Sequence, residues 1–127
     1  MLKRIYYDWN QIIKFLDKLA KLIEKDVSQF DGIYGIPRGG LPPAVILSHK
    51  LNLPLLLSPT KKSLIIDDIS DTGKTLINYK PNKIATIFNT KWTKAKPNYF
   101  VAWKKSKDSW IVFPWEETKK KNEIKKV

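Results

Sequence analysis

The sequence predicts an α/β fold on a mostly parallel sheet, and three observations carry the prediction. Short β-favouring apolar runs alternate with helix-like patterns along the chain. One of those runs, Ser63-Leu64-Ile65-Ile66, is apolar without alternation, as a strand covered on both faces requires. Turns rich in Gly, Asp and Ser follow the strands. In such a sheet the loops at the strand carboxyl ends gather into one site.

The elements follow in order. Ile12, Ile13, Phe15, Leu16, Leu19, Leu22 and Ile23 recur at helical spacing behind Asp8, a suitable N-cap, with Gln11 completing a capping box. Gly32 to Gly35 reads as a short strand, and Ile36-Pro37-Arg38-Gly39-Gly40 as a turn into a helix from about Pro42 to Leu51. Leu53 to Leu57 predicts another strand, Ser63 to Asp68 the buried one, and Ile84 to Phe88 a third apolar run. Between the last two, Gly73 to about Tyr79 predicts a short helix that Pro81 ends. Tyr99 to Trp103 and Trp110 to Phe113 predict later strands, and residues 118–127 a charged tail.

With 127 residues and 43% of them hydrophobic, residues 1–127 are expected to form a single domain with a real core. No apolar stretch reaches the roughly 20 residues that span a bilayer, and the N-terminus lacks a signal-peptide core, so a cytoplasmic protein is expected without a membrane partner. The absence of cysteine excludes disulfides, thiolate catalysis and zinc-thiolate sites. His49 is the sole histidine, which excludes a histidine metal cluster, and it is expected on a helix surface. A net charge of +12 suits nucleic acid, a membrane surface or a polyanionic small substrate, while a dispersed lysine surface is most simply a solvated exterior.

The chemistry concentrates where the buried strand ends, in Asp67-Asp68-Ile69-Ser70-Asp71-Thr72-Gly73-Lys74-Thr75. Two carboxylates at a strand's carboxyl end suit a ligand's hydroxyls. Asp71 to Thr75 add backbone N–H groups and hydroxyls that suit a phosphate. Ordinary turn chemistry is the plain alternative. A Walker A loop is the other, but its first glycine would fall at Asp68, whose carboxylate repels a triphosphate. A second anion-suited loop, Pro37-Arg38-Gly39-Gly40, brings backbone N–H groups and a fixed charge to the same sheet edge, where a pyrophosphate fits.

Taken together, these two loops resemble the phosphoribosyl pyrophosphate (PRPP) cradle of type I phosphoribosyltransferases. The later segments, Thr86-Ile87-Phe88 with Lys91, Lys96 to Val101 and Asp108 to Glu116, resemble the base-binding parts of the xanthine-guanine and hypoxanthine-guanine enzymes. The resemblance implies a Rossmann-like type I fold with helices flanking the sheet and a reduced C-terminal base-binding hood. By resemblance, Asp67 and Asp68 hold the ribose hydroxyls, Asp71 to Thr75 the 5′-phosphate, and Pro37 to Gly40 the pyrophosphate, with a cis non-proline peptide near Arg38. Trp110 would stack on the purine, backbone groups at Ile111 would read its exocyclic position, and Lys91, or Lys94 in its place, would donate to the 6-oxo group. Asp67, Asp68 and Glu116 would hold Mg²⁺.

The activity so implied is transfer of the 5-phosphoribosyl group from PRPP to guanine, xanthine or hypoxanthine in purine salvage, with Asp71 accepting a purine proton. A homo-oligomer, dimer or tetramer, is implied with it. The chain departs from the family in one place. Only Ser58 to Lys62 precede the signature strand, five residues where the family carries a long loop that folds over PRPP. A non-catalytic PRPP or nucleotide sensor of the same fold, whose basic surface contacts nucleic acid or a partner, is therefore the second reading.

Overall fold

The computed structural model describes residues 2–116. The expected tail at 118–127 lies outside them. In chain order the elements are β1 (Lys3–Tyr6), α1 (Trp9–Glu24), β2 (Gly32–Gly35), α2 (Leu41–Leu51), β3 (Ser63–Ser70), β4 (Ile84–Asn89), β5 (Ala102–Trp103) and β6 (Ser109–Val112). Two 3₁₀ turns lie between them, at Val27–Gln29 and Leu76–Tyr79, and a third, Pro114–Glu116, follows β6.

Strands β2, β3, β4 and β5 lie side by side in that order, every pair parallel. The residues expected to form a strand at Leu53 to Leu57 contribute only a bridge, Leu55 to Ile33, on the outer edge of β2. Pro54 cannot donate to a ladder, which limits pairing there. The chain therefore leaves β2 on one side and resumes as β3 on the other. That reversal opens a crevice beyond the carboxyl ends of β2 and β3, the position where open α/β sheets bind ligands.

Helix α1 begins as its sequence dictates: Asp8 accepts from the Gln11 amide at 2.8 Å while Gln11 Oε1 accepts from the Asp8 amide at 2.9 Å. Its apolar stripe, Ile12, Leu16, Leu19 and Ile23, is wholly buried with Ala44 and Leu47 of α2 against Ile33, Leu64, Ile66, Ala85 and Ile87 of the sheet. Burial of each such side chain contributes roughly 1.5–3 kcal/mol. The opposite face is covered more thinly, by Leu76 and Ala95 over Ile65 and Ile84, with Tyr34 and Tyr79 at the margin. Because side chains alternate along β3, Leu64, Ile66 and Asp68 share the helix-covered face, and Ile65 and Asp67 the thin one.

A second, two-stranded parallel sheet pairs β1 with β6 in register from Lys3–Ser109 to Tyr6–Val112. It forms the hood expected at the C-terminal end, but half of it comes from an N-terminal strand with no counterpart among the expected elements. Strand β3 runs two residues beyond Asp68, and the helix expected from Gly73 is only the 3₁₀ turn Leu76–Tyr79. Tyr99 adds a bridge to Ala85 ahead of the two-residue β5. His49 is exposed on α2, as expected. No helix among the described residues is long and apolar enough to cross a membrane.

Candidate active site

The site is built on the carboxyl ends of β2 and β3. The Ile36 amide donates to the Ile66 carbonyl at 2.9 Å, and the Gly40 amide returns to the Ile36 carbonyl at 2.8 Å, so Pro37, Arg38 and Gly39 form a tight projecting loop. Within it the Pro37–Arg38 peptide is cis, and both side chains are exposed. Gly39 packs against the Asp68 carboxylate so closely that a methyl group there would overlap it. The two loops singled out in the sequence are thus one surface.

Asp67 and Asp68 are half-buried, and neither has an ion-pair partner among the described residues. Each is tied instead to the main chain: the Asp68 amide donates to Asp67 Oδ1 at 2.9 Å, and the Ile69 amide to Asp68 Oδ1 at 2.8 Å. Burial, with the neighbouring Asp68 charge, pushes the Asp67 carboxyl up to about 8. Burial and the Glu116 charge likewise raise Asp68, against opposing hydrogen bonds. Such acids suit a cationic or hydroxyl-bearing ligand that would draw them into ionisation.

Beyond them the loop 71–75 is braced from outside rather than by a helix. Gly73 takes φ +80°, and a Cβ there would stand 2.6 Å from both the Ala95 amide nitrogen and Thr93 Oγ1. The Lys94 amide donates to the Thr72 carbonyl at 2.9 Å, and Thr90 Oγ1 to the Asp71 carbonyl at 2.7 Å. The segment after β4 therefore fixes the loop, leaving the Thr72, Lys74 and Thr75 side chains exposed. Without a full helix behind it, what the loop offers an anion is its own N–H groups, hydroxyls and Lys74.

A cavity of about 190 Å³ adjoins these acids. Asp68, Asp71 and Glu116 form its acidic wall, while Trp110, Ile111 and Phe113 supply the apolar one. Trp110 is 51% exposed, an indole face open to a flat ligand, and Ile111 is buried behind it. Lys104 also lines this cavity although only 7% of it is exposed, and its ammonium lies 2.7 Å from Asp71 Oδ2. Asp71 Oδ1 accepts from the Trp92 indole N–H at 2.8 Å. Burial would raise the Asp71 carboxyl, but the Lys104 and Trp92 hydrogen bonds and the Lys104 charge outweigh it and hold the group below its ordinary value.

Whole-chain comparison now decides the family. A xanthine-guanine phosphoribosyltransferase of Desulfotalea psychrophila is 32% identical over an alignment 143 positions long, spanning 90% of this chain and 88% of that enzyme. The chain belongs to the type I phosphoribosyltransferases, close to the xanthine-guanine enzymes. The crystal structure of a purine phosphoribosyltransferase from Pyrococcus horikoshii is similar, with 34% identity and a TM-score of 0.76 over 90% of this chain and 95% of that one. A Helicobacter pylori xanthine-guanine-hypoxanthine phosphoribosyltransferase shares the fold at 22% identity, with a TM-score of 0.77 over 95% and 99% of the two chains. No family profile matches the sequence.

In this phosphoribosyltransferase the geometry brings together several of the residues that the resemblance singled out. Asp68, Asp71, Glu116, Trp110 and Ile111 share one cavity, and Pro37 to Gly40 adjoin it through Asp68. Asp67, Thr72 to Thr75 and Lys91 do not line that cavity; Lys91 is exposed on the segment after β4, and Lys94 is exposed as well. Lys104, by contrast, lines the cavity. The short connection before β3 also stays away from the site. Thr60 Oγ1 bonds Asp31 at 2.8 Å and the Thr60 carbonyl accepts from Asn82 at 2.8 Å, which holds the connection at the amino end of the sheet.

Proposed function

We propose that the protein transfers the 5-phosphoribosyl group from PRPP to a 6-oxopurine, releasing pyrophosphate. One observation carries this reading: the acid suited to the ribose diol packs on the glycine of the loop suited to pyrophosphate, at the mouth of a cavity with an open indole. In the reaction the bond from the ribose anomeric carbon to pyrophosphate breaks, a bond to a purine nitrogen forms, and the purine's proton goes to Asp71. Positive charge develops on the sugar as the bond breaks. Asp67 and Asp68 orient the hydroxyls and favour that charge, and Arg38 with the Gly39 and Gly40 backbone steadies the leaving group. Asp71 to Thr75 hold the 5′-phosphate.

The donor set suits Mg²⁺. Asp68 and Glu116 face one cavity close enough for the Glu116 charge to raise Asp68, a like-charged pair that a cation would relieve. No group of three or more metal-binding side chains occurs among the described residues, which fits an ion held by one or two carboxylates and completed by substrate oxygens. Asp68 with Glu116 would hold it, and when bound it would neutralise charge on the pyrophosphate, while Asp67, on the other face of β3, would not complete a three-carboxylate set with them. We read the active form as a cytoplasmic homo-oligomer, a reading supported by exposed Leu41, Val45 and Leu55 and by Leu57, which is 100% exposed.

The deciding experiment incubates the protein with Mg²⁺, PRPP and each of guanine, xanthine, hypoxanthine and adenine. At least one 6-oxopurine is expected to yield its nucleotide. PRPP binding without product from any base would instead establish the sensor.

A further inference from the structure

Beside the hood runs a groove that the transfer reaction does not use. Its cavity, about 420 Å³, lies between the two-stranded sheet and the start of α1, with Tyr6, Tyr7, Trp9, Val112, Phe113 and Pro114 along it. Aromatic rings dominate that lining, and Trp9 is still 45% exposed. Such rings carry the largest apolar areas of any side chains, so covering them is strongly favoured. The floor is already built: Tyr7 packs on Phe15 and Phe88 with ring centres 5.8 and 5.1 Å apart, and Phe113 stacks on Trp115 at 4.9 Å. Trp115 in turn meets Trp9 at 5.6 Å. The Trp115 indole N–H is buried with no hydrogen-bond partner among the described residues, a donor whose lost hydration is uncompensated.

The described chain ends at the rim of this groove. Pro114 lines it, and the turn Pro114–Glu116 is closed by the Glu116 amide on the Phe113 carbonyl at 2.9 Å and by the Phe113 amide on the Glu116 carboxylate at 3.1 Å. Residues 117–127 follow, with Lys119, Lys120, Lys121, Lys125 and Lys126 and only two apolar side chains, Ile124 and Val127. We propose that this segment folds back into the groove, Ile124 and Val127 covering the aromatic floor and lysines lying over the rings of Tyr6 and Trp9. At roughly 3.5 Å per residue the stretch from 117 to 124 reaches about 25 Å, enough to return across the groove. Ammonium groups are drawn to ring faces, and this chain already uses that attraction: Lys104 and Lys107 lie 5.9 and 5.4 Å from the centre of the Trp92 ring. Asp8 is the one charged residue of the lining, and its sign suits a lysine-rich segment. A main-chain carbonyl of the returning segment supplies the acceptor that the Trp115 N–H lacks. A tethered segment also arrives at high effective concentration, where a separate partner would lose its translational freedom. Because β1 and β6 both border the groove, its occupant fastens the hood, and with it the strand of Trp110, to α1.

The chain has no cysteine, so Asn122→Cys carries a single nitroxide label in the full chain. In ¹⁵N spectra the indole N–H signals of Trp9 and Trp115 should lose more than half their intensity relative to the reduced label, while that of Trp92, on the far side of the active cavity, keeps most of its own. Adding Ile124→Asp or Val127→Asp to the labelled chain should restore most of the Trp9 signal. Labelled chain without isotope, refolded together with ¹⁵N wild type, should leave the Trp9 signal of the latter intact. No loss at Trp9, an equal loss at Trp92, or a loss that survives both aspartate substitutions overturns the proposal. So does a loss in the mixed sample, which would seat the segment of a second copy in the groove.

Discussion

Gly39 lies directly against the Asp68 carboxylate, so the loop proposed for pyrophosphate and the acid proposed for the ribose cannot be altered independently. Any side chain at 39 must push the carboxylate or lift the loop. Gly39→Ala is expected to weaken PRPP binding by at least about tenfold, the cost of roughly 1.4 kcal/mol of displacement, while purine nucleotide affinity falls less. Titration calorimetry with PRPP and Mg²⁺ measures it, and unchanged affinity would show that the loop does not hold the pyrophosphate.

Trp92 holds Asp71 through a single indole N–H, and Phe at that position keeps the ring but not the donor. That bond helps to hold the Asp71 carboxyl below its ordinary value, so its loss lets the carboxyl rise. The acid limb of the kcat/KM profile of Trp92→Phe should therefore move toward higher pH, with kcat down about fivefold for a hydrogen bond worth roughly 1 kcal/mol. A profile superimposable on wild type would remove Asp71 from the proton transfer.

Away from the site, Tyr99 Oη donates to Asp26 Oδ2 at 2.6 Å, tying the turn after α1 to the segment before β5. Tyr99→Phe should cost about 1 kcal/mol, a fall in Tm of roughly 4 °C for a domain of this size, with turnover unaffected. Thermal unfolding followed by circular dichroism reads the first and the nucleotide assay the second.

The legible parts of this protein are those where local chemistry and global packing agree. Helix α1 could be read from Ile12, Leu16, Leu19 and Ile23 and its Asp8–Gln11 cap, and β3 from an apolar run that only a doubly covered strand tolerates. Strand β1 was not legible because all four of its residues are exposed, so no burial pattern marks them. Leu53 to Leu57 misled for the converse reason: apolar residues with a proline among them gain one bridge and leave Leu57 in solvent. Lys104 stood among Lys105 and Lys107 as one more surface lysine. Its burial follows from the pairing of β4 with β5, a long-range register that spacing does not encode.

Asp67 gives the last prediction, because its stability and its use oppose each other. Its carboxyl has an ordinary value of 3.8 and is pushed up to about 8 in the folded chain, first by burial and then by the Asp68 charge. Between those values the folded state keeps a proton that the unfolded chain has released, so stability declines as pH rises and the loss is complete above about 8. Asn keeps the shape and cannot ionise. Asp67→Asn should match wild type in Tm near pH 4 and exceed it progressively toward pH 8, by several degrees if even 1 kcal/mol is recovered. The same variant should bind PRPP more weakly and turn over at least tenfold more slowly, since an amide neither orients the diol as a charged acceptor nor favours positive charge on the sugar. A Tm difference that stays flat with pH would mean that the carboxyl is not held protonated, and undiminished turnover would mean that the sugar is gripped elsewhere. A gain in stability that grows with pH, joined to a loss of PRPP affinity, is the signature of an acid kept in an unfavourable place for the sake of its ligand.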